Sequence, residues 1–303
     1  MPVNRLGFVH MRVTDMTEAV NHYTNTLGQR VVAEADGKVY LKSWDEWDHH
    51  SVVLEEGGVG LVKLGYKVSS DDDLAGYEDR ARKFGCTVER VSKGDNLAIG
   101  DGVSIILPSG QRVDLYHDVE YGGMDTGTLN PNAWPREARG AAVHHLDHAL
   151  IAAEDPAMVE RFFGEVLDFR VSERVVTDPA DPDLIGTWMF CGQKSHDIAV
   201  IKGPDNKIHH FAYWLEDWNE ILRAGDILGM DEVSIDVGPT RHGVSRGKTI
   251  YFFDPAGNRN EVFTGGYMTG PDFPTITWTA DQLGKAIFSI TRELNERFTS
   301  VFT

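Results

Sequence analysis

Apolar residues along the chain recur with the period of a strand in some segments and of a helix in others. Phe8 to Val13 has the composition of a strand, and Asp15 then begins a helix with Glu18 at capping-box spacing. Gly28 suits the end of this helix. The apolar face of the helix carries Met16, Val20, Tyr23 and Leu27. Three short extended segments follow at 31–33, 39–42 and 52–54, so the first unit is predicted to be a strand, a helix and three strands.

The next part of the chain repeats this plan. Residues 61–68 are predicted to form a strand, and a helix follows from about Asp71 to Phe84 and ends at Gly85. Its three further strands are predicted at 87–91, 103–107 and 112–116.

The pattern breaks between Asp118 and Gly140. Glycine, proline and asparagine interrupt a polar stretch there, which is typical of a linker, and Trp134 is expected to pack against the rest of the protein.

The second half of the chain echoes the first. Residues 146–150 resemble the opening strand, Asp155 and Pro156 begin a helix like the first one, and 255–263 resembles 108–116. We therefore predict an α+β fold made of two homologous halves, each with two units of a strand, a helix and further strands.

The predicted domain boundaries follow from this repeat. The N-terminal domain is expected at 1–125, a linker at 126–140 and the C-terminal domain at 141–303. A single C-terminal helix is predicted from Thr279, which has Gln282 at capping-box spacing, and it is expected to cover the mouth of the second domain. Its apolar stripe consists of Leu283, Ile287, Ile290 and Leu294 and ends near Phe298.

Composition and charge narrow the possible partners. The formal net charge of −18 disfavours nucleic acid and anionic membrane surfaces, and no apolar run reaches membrane-spanning length. The two cysteines, Cys86 and Cys191, are too few for a disulfide framework, and no signal peptide is expected in Met1 to His10. These features favour the reducing cytoplasm, small neutral ligands and a metal kept in its reduced state.

Glu261 is the residue that first indicates a site. It is a carboxylate among apolar strand residues, where burial is costly without a cation or hydrogen-bond donors. Aligning the repeat matches the C-terminal residues with N-terminal counterparts as three pairs: His148 with His10, His210 with Lys63, and Glu261 with Asp114. Two histidines and a carboxylate on separate strands are typical of the facial triad of non-haem Fe(II) oxygenases.

The N-terminal half is not expected to hold a metal. Lys63 would repel a dication, so an ion pair between Lys63 and Asp114, with His10 beside it, is predicted instead. Alternation along the strand also predicts that His209 faces away from His210.

Each candidate has an ordinary structural interpretation. A single histidine is more often a hydrogen-bonded core or surface residue, and a glutamate at a strand end is usually solvated. The joint pattern favours a metal, because seven of the twelve histidines lie in the second half and the repeat aligns two of them with Glu261.

The stretch Gly238 to Phe263 also resembles the signature of the extradiol ring-cleaving dioxygenases. The chain as a whole is similar to the catechol 2,3-dioxygenases of the vicinal oxygen chelate superfamily, including 39–42, 130–136 and 278–298. The resemblance implies two domains, each of paired βαβββ modules that form a partly open barrel, and a homotetramer. It implies a ferrous ion in the C-terminal domain, held by His148, His210 and Glu261.

The implied reaction is extradiol (meta) cleavage of a catechol by O2. Its product would be a 2-hydroxymuconate semialdehyde, formed during the degradation of aromatic compounds. By the same resemblance His196 is the acid–base histidine, and His242 and Tyr251 contact the substrate oxygens.

The resemblance also implies the walls of the substrate pocket. They are Trp188, Ile201, Val244, Ser245 and Phe298. Trp188 stands where a phenylalanine is expected and Gly203 where many relatives have a larger residue, so alkyl- or halo-substituted catechols are possible substrates.

Two other functional classes remain at this point. One is a non-oxidative metalloenzyme of the same superfamily, such as a glyoxalase-like isomerase, which has no need for His196, His242 and Tyr251 together. The other is a metal-free binding protein with this fold, which an intact set of ligands disfavours because unpaired buried histidines and a carboxylate are costly.

Overall fold

Four copies of one βαβββ unit make up most of the molecule. The computed structural model describes residues 3–303, so Met1 and Pro2, where the predicted N-terminal domain begins, lie outside the described residues. The first unit contains β1 (Val3–Val13), α1 (Met16–Asn21), β2 (Arg30–Ala35), β3 (Lys38–Lys42) and β4 (Val52–Glu56). The second contains β5 (Gly60–Val68), α2 (Asp72–Phe84), β6 (Val88–Val91), β7 (Gly102–Ile106) and β8 (Arg112–Tyr116).

The second half has the same order of elements. The third unit contains β9 (His145–Ala153), α3 (Pro156–Leu167), β10 (Arg170–Val176), β11 (Leu184–Phe190) and β12 (Ile198–Lys202). The fourth contains β13 (Lys207–Trp214), α4 (Trp218–Met230), β14 (Ile235–Arg241), β15 (Gly247–Phe253) and β16 (Arg259–Gly265). The C-terminal segment adds β17 (Ile276–Thr279), α5 (Leu283–Ile287) and α6 (Glu296–Ser300).

Each half forms one curved sheet. The strand order is β2-β3-β4-β1-β5-β8-β7-β6 in the N-terminal sheet and β14-β15-β16-β13-β9-β12-β11-β10-β17 in the C-terminal sheet. In both sheets the first strands of the two units, β1 with β5 and β9 with β13, pair antiparallel at the centre. The predicted α+β fold of paired βαβββ modules is therefore confirmed, whereas the exact domain boundaries stay a prediction.

The helix ends form as the local sequence predicts. Asp15 accepts a hydrogen bond from the amide of Glu18, and Asp155 accepts one from Met158 at the start of α3. Gly85 ends α2 with a φ of 100°, a conformation that suits glycine.

The two halves pack against each other through matching contacts. Gln111 Nε2 donates to the carbonyl of Ala152 in the C-terminal sheet at 2.7 Å. Its counterpart Asn258 donates through Nδ2 to the carbonyl of Arg12 in the N-terminal sheet at 2.9 Å. A continuous buried core also runs through both halves, so the repeat extends to the interface between them.

The C-terminal segment differs from the predicted single helix. A 3₁₀ turn and α5 are separated from α6 by irregular chain, and Ile290, predicted on the apolar stripe, is 65% exposed. The helix ends at Phe288 because this side chain is buried against Tyr251 and Phe298. Tertiary packing has overridden the helical pattern, although the segment does cover the second barrel. Among residues 3–303, no helix combines the length and the apolar character that crossing a membrane requires.

Candidate metal centre and active site

Three neighbouring strands of the C-terminal sheet bring the predicted ligands together. His148 lies on β9, His210 on β13 and Glu261 on β16. One nitrogen of each histidine and one carboxylate oxygen lie within 4.8 Å of one another, and all three residues are buried. Glu261 Oε2 is 3.1 Å from His148 Nε2 and 3.0 Å from His210 Nε2.

The residues around Glu261 keep its buried carboxyl group ionised. Burial alone raises the pKa of a carboxyl group, but the hydrogen bond from His148, together with the adjoining rings of His210 and His242, outweighs burial and holds the pKa of Glu261 well below its usual range. Thr249 donates its hydroxyl to Oε1 at 2.5 Å. A buried carboxylate facing two imidazole nitrogens is a donor set that fits a divalent transition metal.

A β-bulge orients the first histidine. His148 pairs with Ala212 and Leu146 pairs with the next residue of β13, so Asp147 is the extra residue in β9. Asp147 Oδ2 lies 2.7 Å from His148 Nδ1 and accepts a hydrogen bond from this nitrogen. Burial opposes a charged ring, but hydrogen bonds to Asp147 and Glu261 raise the pKa of His148 to about 9. The Nε2 atom of His148 is thereby directed at Glu261. A metal cation can replace the proton that this nitrogen carries.

A second bulge orients the other histidine. His209 is the extra residue in β13, between Ile208 and His210. Its Nε2 donates to the carbonyl of Phe298 at 2.7 Å, so its Nδ1 accepts the Nδ1 proton of His210, also at 2.7 Å. This leaves a lone pair on His210 Nε2, 3.0 Å from Glu261 Oε2, so a metal ion between these two atoms could bind both of them. The prediction that His209 faces away from His210 is wrong, because the bulge interrupts the alternation and His209 lines the same cavity.

The predicted acid–base histidine packs on the first ligand. The ring centroids of His196 and His148 are 4.1 Å apart, and Ser195 Oγ lies 3.2 Å from His196 Nδ1. Burial, reinforced by the charge of His148, lowers the pKa of His196 well below its usual range. A neutral ring beside the ligand cluster can accept a proton from a bound molecule.

Tyr251 and His242 form a hydrogen-bonded pair on the other side of the cluster. His242 Nδ1 donates to the carbonyl of Ile287 at 2.5 Å, so its Nε2 accepts the hydroxyl proton of Tyr251 at 2.9 Å. His242 Nε2 is also 3.7 Å from Glu261 Oε1. Both side chains are buried and adjoin the cluster.

All the predicted site residues line one small cavity of about 50 Å³. The predicted walls in this cavity are Trp188, Ile201, Val244, Ser245 and Phe298. Sequence reasoning missed four further lining residues: Leu150, His209, Phe263 and Ile287. Gly203 is not part of the lining, and a side chain there would meet Ala152 at 3.1 Å and Phe302 at 3.2 Å, so these two residues take the space that a larger residue would fill.

The N-terminal sheet contains the same two bulges without the ligands. Phe8 pairs with Gly65 in the N-terminal sheet, and His148 pairs with Ala212 at the same place in the C-terminal sheet. The counterpart of His148 is therefore Phe8. The predicted match with His10 is wrong by two residues. A shift of two residues keeps a side chain on the same face of a strand, which is why the pattern alone did not show the error. In these two matching bulges the extra residues are Gly7 and Val62, which offer no polar side chain.

The predicted ion pair in the N-terminal half is confirmed. Lys63 Nζ lies 2.8 Å from Asp114 Oδ2, and Asn96 contacts both side chains. His10 pairs with Lys63 across β1 and β5, and burial, followed by the charge of Lys63, lowers its pKa to about 3.

Comparisons with known proteins agree with this architecture. A family model described as Glyoxalase/Bleomycin resistance protein/Dioxygenase superfamily matches residues 145–262, which include all three candidate ligands. A second, Catechol 2,3-dioxygenase-like N-terminal domain, matches residues 63–120. The metapyrocatechase of Pseudomonas sp. (strain CF600) is 41% identical over 305 residues, which cover 99% of each chain. The manganese-dependent 2,3-dihydroxybiphenyl 1,2-dioxygenase of Geobacillus genomosp. 3 is 27% identical, over 94% of this chain and 93% of that protein.

Solved structures give the same result. A 2,3-dioxygenase from Pseudomonas sp. KL28 superposes with a TM-score of 0.89 at 40% identity, covering 93% of this chain and 99% of that chain. A substrate complex of homoprotocatechuate 2,3-dioxygenase from Brevibacterium fuscum superposes with a TM-score of 0.87 at 27% identity, covering 98% and 91%. The chain therefore belongs to the catechol 2,3-dioxygenase (metapyrocatechase) family of extradiol ring-cleaving dioxygenases.

Proposed function

We propose that this protein cleaves catechol, or an alkyl- or halo-substituted catechol, by extradiol (meta) addition of O2, and that the product is a 2-hydroxymuconate semialdehyde. One observation carries the proposal. His148, His210 and Glu261 converge in a buried cavity that His196, His242 and Tyr251 also line, in a chain 41% identical to a metapyrocatechase over 99% of its length.

We propose Fe(II) as the metal, held by His148, His210 and Glu261. Imidazole and carboxylate ligands suit Fe(II), and a triad of this kind leaves coordination positions open. When bound, a redox-active ion supplies the electron transfer that lets O2 react with an aromatic diol. One relative is named as manganese-dependent, so Mn(II) is the alternative to test.

The other residues act on the substrate. The neutral ring of His196 accepts a proton from a catechol hydroxyl and returns it later in the reaction. Tyr251 and His242 provide hydrogen bonds at the opposite side of the cavity. Trp188 and Ile201 flank the ring, while Phe298 and Ile287 close the cavity from the C-terminal segment. Water is thereby excluded from the reacting groups.

Substrate entry requires movement of this cover. The cavity of about 50 Å³ is far smaller than a typical ligand pocket of roughly 300 Å³ or more. Phe298 and Ile287 belong to the short elements at the C-terminus, and we propose that these two side chains move when a ring binds.

We also propose that the protein is a cytoplasmic homotetramer. The family resemblance supports this assembly, and light scattering on a size-exclusion column tests it directly. A monomeric mass near 33.7 kDa would contradict it.

Anaerobic reconstitution tests the main proposal. The metal-free protein is loaded with Fe(II), catechol and oxygenated buffer are added, and oxygen uptake and the ring-opened product are measured together. We expect one O2 consumed per product, and loss of both the bound metal and the activity in His148→Ala with the fold retained. No oxygen uptake with catechol or its methyl and chloro derivatives would contradict the proposal.

A further inference from the structure

Asp147 and Lys194 connect the strand that carries His148 to the loop that carries His196. The bulge in β9 turns Asp147 toward His148, whose Nδ1 lies 2.7 Å from Asp147 Oδ2. Lys194 Nζ lies 3.1 Å from the other oxygen, Asp147 Oδ1, and also donates to the Asp147 carbonyl. The ammonium group of Lys194 thus fixes the carboxylate of Asp147. That carboxylate in turn fixes the ring of His148, a candidate metal ligand.

The same ammonium group holds the neighbouring loop. Lys194 Nζ lies 3.3 Å from Asp197 Oδ1, and Asp197 Oδ2 accepts the amide protons of Cys191 and Gly192. The carboxylates of Asp147 and Asp197 are only 5% and 2% exposed, so each needs a partner for its charge. His196 lies between Lys194 and Asp197 in sequence order, and its position follows from theirs.

Neither Asp147 nor Lys194 touches the active-site cavity. Both line a different cavity of about 240 Å³, which residues of β1, the 45–51 loop and β9 enclose. These two residues therefore have no direct contact with a molecule in the active-site cavity and can act on it only through the residues that they hold.

We propose that Asp147 and Lys194 are positioning residues for the metal centre. Asp147 fixes the tautomer and ring orientation of His148, and Lys194 fixes the spacing between His148 and His196. The inference rests on the proposed function, since it takes His148 as a metal ligand and His196 as the proton-transfer group. This role gives a reason for the two buried carboxylates, Asp147 and Asp197, that lie outside the active-site cavity.

The two positions have different expected effects. Asp147→Asn removes the charge that supports His148, and partners of this kind typically contribute 10- to 100-fold to metal affinity. We expect Asp147→Asn to weaken metal binding by roughly that factor. Lys194→Met leaves the bond between Asp147 and His148 but releases the loop, so we expect at least a roughly tenfold lower kcat, with KM for catechol within about twofold.

The test measures metal binding separately from activity. Calorimetric titration of the metal-free protein with Fe(II), under anaerobic conditions, or with Mn(II) gives the dissociation constant, and thermal melting of the metal-free variants shows whether they fold. Lys202→Met is the matched control, because Lys202 forms an exposed ion pair with Asp183. Lys194→Arg should keep most of the wild-type kcat, since arginine places a cation between the carboxylates of Asp147 and Asp197.

The outcomes separate this inference from the proposed function. If the wild type binds no metal, the proposed function fails and the inference fails with it. If the wild type and Lys202→Met bind one ion and cleave catechol, an unchanged dissociation constant in folded Asp147→Asn overturns the role of Asp147 alone. Should Asp147→Asn not fold, an unchanged kcat in folded Lys194→Met still overturns the role of Lys194.

Discussion

Thr249 donates its hydroxyl to Glu261 Oε1 at 2.5 Å, and this bond leaves the other carboxylate oxygen facing His148 and His210. The remaining oxygen, Oε2, lies about equally far from His148 and His210, at 3.1 and 3.0 Å. Thr249 and Tyr251 are alternate residues of β15 and point to the same side of the sheet. One strand therefore supplies both a group that orients the carboxylate and a group that lines the candidate substrate cavity.

Thr249→Val should weaken metal binding without disturbing the fold. Valine has nearly the same shape but cannot donate a hydrogen bond, so the Glu261 carboxylate loses its orientation. We expect about tenfold weaker Fe(II) or Mn(II) binding, measured by titration of the metal-free protein. Thr249→Ser keeps the hydroxyl and is the control. Equal affinities for the valine and serine variants would contradict the role of the hydroxyl.

His196→Ala should retain the metal and lose most of the turnover. The ring packs 4.1 Å from His148 but is not one of the three converging ligands. Removing a proton-transfer group typically lowers the rate by about 10²- to 10⁴-fold. Metal analysis and initial rates with catechol check this, with His117→Ala, at a histidine outside the cavity, as the control. Unaltered turnover would exclude His196 from proton transfer.

The sequence predicts those parts of the molecule that short sequence patterns or the internal repeat specify. Capping residues such as Asp15 and Asp155 fix helix starts, and the repeat brought His210 and Glu261 to the correct positions. The bulges at Asp147 and His209 were not predictable, because no residue type marks the place of an extra residue, and strands buried on both faces show no alternation that its insertion would visibly interrupt. These two residues hold the Nδ1 atoms of the ligands, so the support of the metal centre depended on features that only the structure shows.

Trp188→Phe should shift the preference toward larger catechols. Trp188 is buried and lines the cavity beside Ile201, so a smaller ring at 188 adds space next to the substrate. We expect kcat/KM for an ethyl-substituted catechol to rise about tenfold relative to catechol. Trp134→Phe, in the predicted linker and outside the cavity, is the control. An unchanged ratio of the two kcat/KM values would show that Trp188 does not limit ring size.

His22 should make the protein sensitive to acid. Burial lowers the pKa of His22 from 6.5 to about 4, against an opposing effect of Asp231. The unfolded chain therefore binds a proton between pH 6.5 and 4 that the folded chain does not. The stability is complete above pH 6.5, and about 3 kcal/mol is lost as the pH falls to 4.

His22→Phe removes this titration while keeping an aromatic ring beside Tyr23 and Phe252. Urea unfolding of the metal-free protein at pH 7 and pH 4 gives the loss of unfolding free energy for each chain. The loss should be about 3 kcal/mol smaller in the variant. Equal losses would mean that His22 is not neutral in the folded protein.

Lys63→Met should destabilise the N-terminal half without creating a metal site. The substitution leaves Asp114 buried with Asn96 as its remaining partner, and breaking a buried ion pair in this way costs about 3 kcal/mol. Adding Asp114→Asn should recover most of this loss, because the uncompensated charge is gone. Metal content should stay at one ion per chain in both variants, as expected for the wild type, since Phe8 occupies the position that His148 has in the second half. Urea unfolding and metal analysis of the purified variants provide both readouts. A single variant as stable as the wild type, or a second bound ion, would contradict the assignment of Lys63 as the residue that replaces a metal.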